Sequence, residues 1–138
     1  MKCFKKKSIR TAIIFSTATL LILTVSGCRG RTSIEERDSR AMPDNAHYMS
    51  EEEIGRTIIK VAASRKWACS HNAPTNLKCQ LQTRVHQASI NIKYSQEEYS
   101  ITHLGSKNMK ETNNRIHPKY NKWIQNLEQN IFQAISKK

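Results

Sequence analysis

Apolar residues at three- and four-residue intervals predict two amphipathic helices. The first covers about residues 50–65, where Ser50 and Glu53 form a capping-box pattern at the positive end of the helix dipole. Its apolar stripe consists of Ile54, Ile58, Val61 and Ala62. The second begins near Pro118, a residue suited to a first helical turn. Its stripe consists of Tyr120, Trp123, Ile124, Leu127, Ile131, Ala134 and Ile135.

Between the helices the hydrophobic period changes to two, which predicts β-strands. One apolar and one polar face per strand indicate an antiparallel sheet with one face in solvent. The strands are expected around residues 67–70, 77–85, 88–94 and 99–102. The predicted fold class is therefore α+β. A small antiparallel sheet of three to four strands carries an N-terminal and a C-terminal helix on one face, in the order α-β-β-β-β-α.

The first 27 residues have the layout of a secretory signal. Five cations precede Thr11, and the charge-free run from Thr11 to Val25 is shorter than the ~20 apolar residues of a spanning helix. It leads into Leu23-Thr24-Val25-Ser26-Gly27-Cys28, which resembles the lipobox cleaved by the lipoprotein signal peptidase. We therefore expect cleavage before Cys28 and attachment of acyl chains to that residue, a stable membrane anchor. The alternative is an uncleaved signal anchor with Cys28 as an ordinary thiol.

Cleavage divides the chain into a signal peptide (1–27), a lipidated flexible tether (28–48) and a single α+β domain (49–138). The tether is expected to be flexible because it is polar and lacks apolar periodicity. Such a segment spans on the order of 25 Å, enough to clear the lipid headgroups. By resemblance to enteric lipoprotein sorting, Arg29 favours the outer membrane, facing the periplasm, over the inner membrane.

Much of the positive charge belongs to the signal. Of 23 lysines and arginines, five precede Cys28, and the other 18 exceed the 11 acids by seven. This excess favours an anionic envelope polymer or lipid headgroups as partners. Nucleic acid is not expected, since the basic residues are dispersed and the compartment is wrong. A solvated basic surface without a specific anion site is the alternative.

Two of the four cysteines remain after Cys3 leaves with the signal and Cys28 takes lipid. Cys69 and Cys79 flank a stretch rich in turn residues, so a chain reversal at 73–75 would place them opposite each other on adjoining strands. In an oxidising compartment such a pair is expected to form a disulfide. A redox-active pair is the alternative, although no Cys-x-x-Cys motif is present.

The C-terminal part of the chain resembles a group of small, uncharacterised proteobacterial lipoproteins. Their signature appears as Ile116-His117-Pro118-Lys119-Tyr120-Asn121-Lys122-Trp123-Ile124-Gln125-Asn126-Leu127, and the strand around Tyr99-Ser100-Ile101 with Ser106 and Asn108 also matches. The resemblance covers about residues 48–135 and implies the helix–sheet–helix order and the lipoprotein class, but no activity. Gly105 departs from the group, in which an acidic residue is usual after the last strand.

No catalytic or cofactor motif stands out. The chain has no nucleophile elbow, phosphate loop or His-Glu-x-x-His pattern, and a carboxylate pair for glycosidic cleavage stays open without any pair being selected. The histidines lack ligand spacing, so no metal and no cofactor is expected. They are His47, His71, His86, His103 and His117. His103 is expected to be a hydrogen-bonded histidine at the edge of the core.

Asn121 and Asn126 interrupt the second helix, where asparagine is unfavourable. Local hydrogen bonding of the amides to backbone is the favoured explanation, and a polar contact surface for a partner is the alternative. We therefore expect a non-enzymatic binding or structural lipoprotein of the cell envelope. The sequence does not identify the partner, for which an envelope protein or an anionic envelope polymer is the expectation. A small peptidoglycan-directed enzyme, or an inhibitor of an envelope hydrolase, is the second expectation, and a metal or redox carrier is the third.

Overall fold

The computed structural model describes residues 30–138. The predicted signal peptide and the lipidated Cys28 lie outside the described residues. In chain order the elements are β1 (Thr32–Ser33), β2 (Arg37–Ala41), a 3-10 helix (Asp44–Tyr48), α1 (Glu51–Ser64), β3 (Trp67–Ala73), β4 (Asn76–Gln82), β5 (Gln87–Tyr94), β6 (Glu98–Lys107), β7 (Arg115–Ile116) and α2 (Lys119–Ser136).

The main sheet has five antiparallel strands in the order β2-β6-β5-β4-β3, and β1 pairs with β7 in a separate two-stranded sheet. The α+β class and the two helices agree with the sequence, but the expected three to four strands are wrong. The additional strand is β2, which pairs with β6 at one edge of the sheet.

Strand β2 lies in the segment that the sequence predicts to be a flexible tether. Residues 32–48 instead contain two short strands and a 3-10 helix, so the expectation of an unstructured segment is wrong there. Met42, Ala46 and Met49 around this 3-10 helix are buried in the core. The sequence of β2 shows no alternation of apolar and polar residues, because four of its five residues are exposed and the strand pairs through its backbone.

Side chains alternate between the two faces of the main sheet, and one face is buried. The register aligns Leu77, Ile92 and Ile101 in one inward row, and the buried residues of both helices belong to the same core cluster. On the opposite face, the row of Lys78, Asn91 and Thr102 is polar and wholly or partly exposed. Both helices therefore pack against the same face, and the other face contacts solvent.

Helix α1 begins as the capping pattern predicts. The Ser50 hydroxyl oxygen accepts a hydrogen bond from the backbone N–H of Glu53 at 3.2 Å. The Glu53 carboxylate does not return to Ser50; it pairs with the Lys138 ammonium at 3.3 Å, beyond the end of α2. This exposed ion pair links the start of one helix to the end of the other.

An ion-pair cluster joins β2 to α2. The Arg37 guanidinium, whose side chain is 10 % exposed, contacts Glu128 at 2.7 Å and Glu35 at 3.0 Å. The Tyr99 hydroxyl donates to the second carboxylate oxygen of Glu128 at 2.7 Å. Burial, and then this hydrogen bond, raise the pKa of Tyr99 far above its usual range. We call Glu35, Arg37, Tyr99 and Glu128 the N-terminal clamp, because they hold residues 35–37 against the C-terminal helix.

The disulfide between Cys69 and Cys79 is present, as expected from the sequence. The two cysteines are direct partners in the β3–β4 register, and the chain reverses between Ala73 and Asn76. Cys79 is completely buried, and Cys69 packs against the core. The bridge therefore fastens the edge strand β3 to the sheet from the inner face.

None of the helices within residues 30–138 has the length and apolar character needed to cross a bilayer.

Candidate functional site

Asn121, one of the two predicted partner-surface residues, has a structural role. Its side chain is buried and bonds to the N-terminal segment: the amide nitrogen donates to the Ser33 carbonyl at 2.7 Å, and the amide oxygen accepts from the Glu35 N–H at 3.2 Å. The Asn121 side chain therefore provides hydrogen-bond partners for two backbone groups of the segment 33–35. Hydrogen bonding of the amide to backbone, the favoured explanation, therefore accounts for Asn121, and the buried side chain leaves no exposed contact surface at this position.

Asn126, the second candidate for a partner surface, is exposed and lines a groove of about 350 Å³. The groove runs between the end of α1, the start of β3, the end of β4 and the first turns of α2. We call it the basic groove after its three cations. Its principal lining residues are Arg65, Lys66, Trp67, Lys119, Trp123 and Asn126.

An aromatic surface forms the floor of the basic groove. Trp67 is 2 % exposed and belongs to the core, whereas Trp123 is only partly buried and packs on the core from its edge. The Lys119 ammonium lies 5.9 Å from the centre of the Trp123 ring, within the range of a cation–π contact. His86 contacts the same ring edge-on at 6.4 Å. A ligand in the groove would therefore contact the Trp123 ring next to the Lys119 ammonium.

The cations of the basic groove are not neutralised. Arg65, Lys66 and Lys119 form no ion pair within residues 30–138, and no acid is among the described residues that line the groove. Arg65 does donate to the Asn130 side-chain oxygen at 2.8 Å, which orients its guanidinium next to α2. Three like charges around one concave surface produce a local positive potential that attracts anions.

A second concavity, of about 580 Å³, lies between the N-terminal segment, β6 and the loop that follows β6. We call it the acidic cavity, because Glu36 and Glu111 line it together with His103 and Ser106. His103 occupies the inward position expected from the sequence, and its side chain is 7 % exposed. Its Nε2 lies 3.2 Å from a Glu111 carboxylate oxygen, and its Nδ1 has no hydrogen-bond partner within residues 30–138.

Two other histidines contact each other. The ring centres of His86 and His117 are 5.7 Å apart with the rings tilted by 34°, and the His86 Nδ1 lies 2.8 Å from the Asn108 carbonyl oxygen. In the described part of the chain, no group of three histidine, cysteine or acidic side chains is placed to hold a metal ion.

The sequence gives no signal that most residues of the two concavities lie together. Arg65, Lys66 and Lys119 come from two segments more than fifty residues apart, and dispersed lysines carry no local pattern. Glu36 lies in a segment without apolar periodicity, which the sequence predicts to be a tether. The sequence does point to His103, to Asn126, and to Lys119 and Trp123 within the C-terminal signature.

Comparisons of the chain with protein-family models, with curated proteins and with solved structures found no match.

Proposed function

We propose that the protein is a membrane-anchored lipoprotein of the cell envelope and acts as a non-enzymatic binding module for an anionic envelope polymer. The observation that supports the proposal is the basic groove: Arg65, Lys66 and Lys119 surround Trp123, and none of the three forms an ion pair within residues 30–138. By contrast, Arg37, Arg56 and Lys138 each contact a carboxylate.

The chemistry of the groove suits a phosphorylated glycan. Arg65 presents a planar guanidinium that matches phosphate oxygens, while Lys66 and Lys119 add point charges. Trp123 offers an apolar ring face, and the exposed Asn126 amide offers both a donor and an acceptor for hydroxyl groups. Phosphates of a lipopolysaccharide core provide this combination of charge and sugar.

The anchor belongs to the same proposal and is supported by the sequence alone. Cleavage before Cys28 and acylation of that residue would place the domain at a membrane surface, with the outer membrane favoured by Arg29. The likeness to small proteobacterial lipoproteins points in the same direction. Tethering would raise the effective concentration of the domain near membrane-bound polymer, so modest affinity in solution suffices.

The test is a fluorescence titration of the mature protein, in a non-ionic detergent, with phosphorylated lipopolysaccharide core oligosaccharide. Both tryptophans of the chain line the basic groove, so their emission reports binding directly. We expect saturable binding that weakens as salt is raised. Replacing Arg65 and Lys119 together by Gln should weaken it about tenfold, which corresponds to roughly 1.4 kcal/mol.

The matched control is Lys78→Gln combined with Lys93→Gln, which removes the same charge from the outer face of the sheet, where both lysines are exposed. This control should bind within about twofold of the parent protein. Equal weakening in both double variants would mean that binding depends only on the net charge of the protein, and it would refute the groove as the binding surface. Unchanged binding of dephosphorylated oligosaccharide would contradict the role of the anion.

A peptidoglycan-directed enzyme is the second candidate, because Glu36 and Glu111 line one cavity and paired carboxylates serve glycoside hydrolysis. The hydrogen bonds fit this less well, since the Ser106 hydroxyl donates to Glu111 and the Glu36 carboxylate accepts from backbone. Release of soluble fragments from purified peptidoglycan by the parent protein, and its loss in Glu111→Gln, would favour the enzyme over the binding module.

A further inference from the structure

Two loops meet at one end of the main sheet. The turn between β4 and β5 (83–86) and the loop after β6 (108–114) both lie there, because Gln82, Gln87 and Lys107 are aligned in one row of the register. The turn and the loop therefore form a common surface beyond the ends of these three strands.

The N-terminal segment reaches the same surface. Strand β1 pairs with β7, which follows the loop, and the Arg115 guanidinium donates to the Arg31 carbonyl at 2.6 Å. The chain that comes from Cys28 therefore enters the domain at this end of the sheet. We call residues 30–33, 83–86 and 107–117 the entry end.

The entry end is basic. It carries one acid, Glu111, and five exposed cations, which are Arg31, Arg84, Lys107, Lys110 and Arg115. Within residues 30–138 none of the five cations forms an ion pair, and none of them lines the basic groove. The Glu111 carboxylate instead accepts from the Ser106 hydroxyl at 2.6 Å. The positive charge of the entry end is therefore open to solvent.

The opposite end of the sheet is acidic. There the Gln96 side chain donates to the Met49 carbonyl at 2.6 Å, which joins the turn between β5 and β6 to the start of α1. Residues 42–53, 95–98 and 136–138 carry six acids and two lysines, which are Asp44, Glu51, Glu52, Glu53, Glu97, Glu98, Lys137 and Lys138. Strand β5 connects the two ends, and its eight residues span about 26 Å. This is about three times the Debye length at physiological salt, so the distant acids do not offset the cations.

The position of Cys28 in the chain determines which end lies near the proposed lipid anchor. Thr32, the first residue of β1, follows Cys28 by four residues. An extended chain advances at most about 3.5 Å per residue, so these four residues span no more than about 14 Å. A lipid surface that holds Cys28 is therefore within reach of the entry end.

The turn between β4 and β5 presents an apolar side chain next to a cation. The backbone N–H of Thr83 donates to the His86 carbonyl at 2.8 Å, and the backbone N–H of His86 donates to the Thr83 hydroxyl at 3.0 Å. Arg84 and Val85 lie between these two residues, and Val85 is 59 % exposed. Apolar and cationic side chains on one surface suit the boundary between lipid headgroups and acyl chains.

We propose that the entry end docks on the anionic headgroups of the bilayer to which the chain is anchored, with the acidic end turned away from the lipid. The proposal rests on the lipid anchor at Cys28 in the proposed function. Exposed lysine and arginine side chains are attracted to anionic lipids within a Debye length of the surface. Thr83 of the entry end also lines the basic groove, so docking would place the groove near the level of the headgroups.

The test uses the isotope-labelled mature chain, coupled through the Cys28 thiol to a maleimide-bearing lipid in a nanodisc. Cys69 and Cys79 are bridged, so Cys28 is the free thiol of this chain, and coupling holds the domain at the bilayer whether or not the cell acylates Cys28. Spin-labelled headgroups in the nanodisc broaden the amide signals of nearby residues.

The nanodiscs contain either equimolar phosphatidylcholine and phosphatidylglycerol or phosphatidylcholine alone. In the anionic nanodiscs, we expect the amide signals of residues 83–86 and 107–117 to lose at least about twice as much intensity as those of residues 44–53 and 95–98. The difference should shrink in phosphatidylcholine alone and at high salt. Equal broadening at both ends of the domain, or the same pattern in both kinds of nanodisc, would overturn the proposal.

The variant that tests the surface is Arg84→Gln with Lys110→Gln, which removes two exposed charges whose side chains make no hydrogen bond within residues 30–138. It should reduce the difference between the two ends at least about twofold. The control is Lys78→Gln with Lys93→Gln on the outer face of the sheet, and it should leave the difference unchanged. An equal effect of the control would contradict docking through the entry end. Failure of the anchor is recognised separately, as an unmodified Cys28 in protein purified from its own membranes.

Discussion

Gly55 is the point at which helix α1 comes closest to the sheet. A Cβ added there would contact the Tyr94 hydroxyl, lie 3.0 Å from its ring carbon Cζ and 3.3 Å from His71. The Tyr94 hydroxyl donates to the Pro74 carbonyl, and its ring is buried, so it has little room to move. Glycine is therefore tolerated in the middle of a helix because the helix must approach a buried ring.

We expect Gly55→Ala to lower the free energy of unfolding by about 1–2 kcal/mol, because overpacking outweighs the better helix propensity of alanine. Urea unfolding of the mature protein measures the change. Combining Gly55→Ala with Tyr94→Phe, which removes the hydroxyl in contact, should reduce the cost of the alanine. If Gly55→Ala lowers the free energy of unfolding equally with and without Tyr94→Phe, the added methyl group does not clash with the Tyr94 hydroxyl.

The Ser106–Glu111 contact makes stability depend on pH. Because the folded pKa of Glu111 lies below its ordinary value of 4.5, the contact stabilises the fold above that pH. The stabilisation is lost as the pH falls through the lowered folded pKa. Ser106→Ala removes the first cause of the shift and should cost about 1 kcal/mol at neutral pH and less near pH 3.

Urea unfolding at a series of pH values provides the measurement. Ser70→Ala is the control, because Ser70 is exposed and makes no side-chain hydrogen bond in the described part of the chain. Its cost should not vary with pH. A pH-independent cost for Ser106→Ala would mean that the hydroxyl does not act through the Glu111 carboxylate.

At the scale of single residues, the sequence identifies unusual positions better than their partners. Asn121 stands out as an unfavourable helix residue, but its partners at Ser33 and Glu35 are more than 80 residues away and lie in a segment without periodicity. Gly105 has a φ of +149° at a β-bulge in β6. A residue with a Cβ would be strained there, so an acid at this position does not fit this backbone.

At the scale of elements, periodicity locates α1, α2 and the central strands because each of them buries an apolar face. Strand β2 has no such face, and its only buried residue is a cation: Arg37 is 8 % exposed. An edge strand that is held by backbone pairing and an ion pair gives no period-two signal. The sequence therefore predicts a tether where the structure has a strand.

The N-terminal clamp should therefore matter for stability. We expect Arg37→Met to lower the free energy of unfolding by about 2 kcal/mol, because it leaves the partly buried Glu128 and Tyr99 without the charge they face. Amide hydrogen exchange of residues 33–41 should also increase. Arg56→Met, which breaks an exposed pair on one helix, should cost less than about 0.5 kcal/mol. Similar effects of the two variants would contradict the role of the clamp.

At the scale of the whole molecule, the fold fixes the N-terminal segment against the domain from Thr32 onwards. The length available between Cys28 and the first pairing residue is therefore only a few residues, and not the twenty residues that the sequence indicated. If the anchor is at Cys28, the domain is held close to the lipid surface, where a basic groove meets membrane-bound polymer at high local concentration.

Intact mass spectrometry of the protein purified from its own membranes tests most directly the proposal that the domain is tethered through Cys28. We predict a chain that begins at Cys28 and carries the added mass of a diacylglyceryl group and an amide-linked acyl chain. Cys28→Ala should leave the precursor uncleaved and without lipid. A chain that begins at Met1, or one cleaved elsewhere without added lipid mass, would contradict the claim.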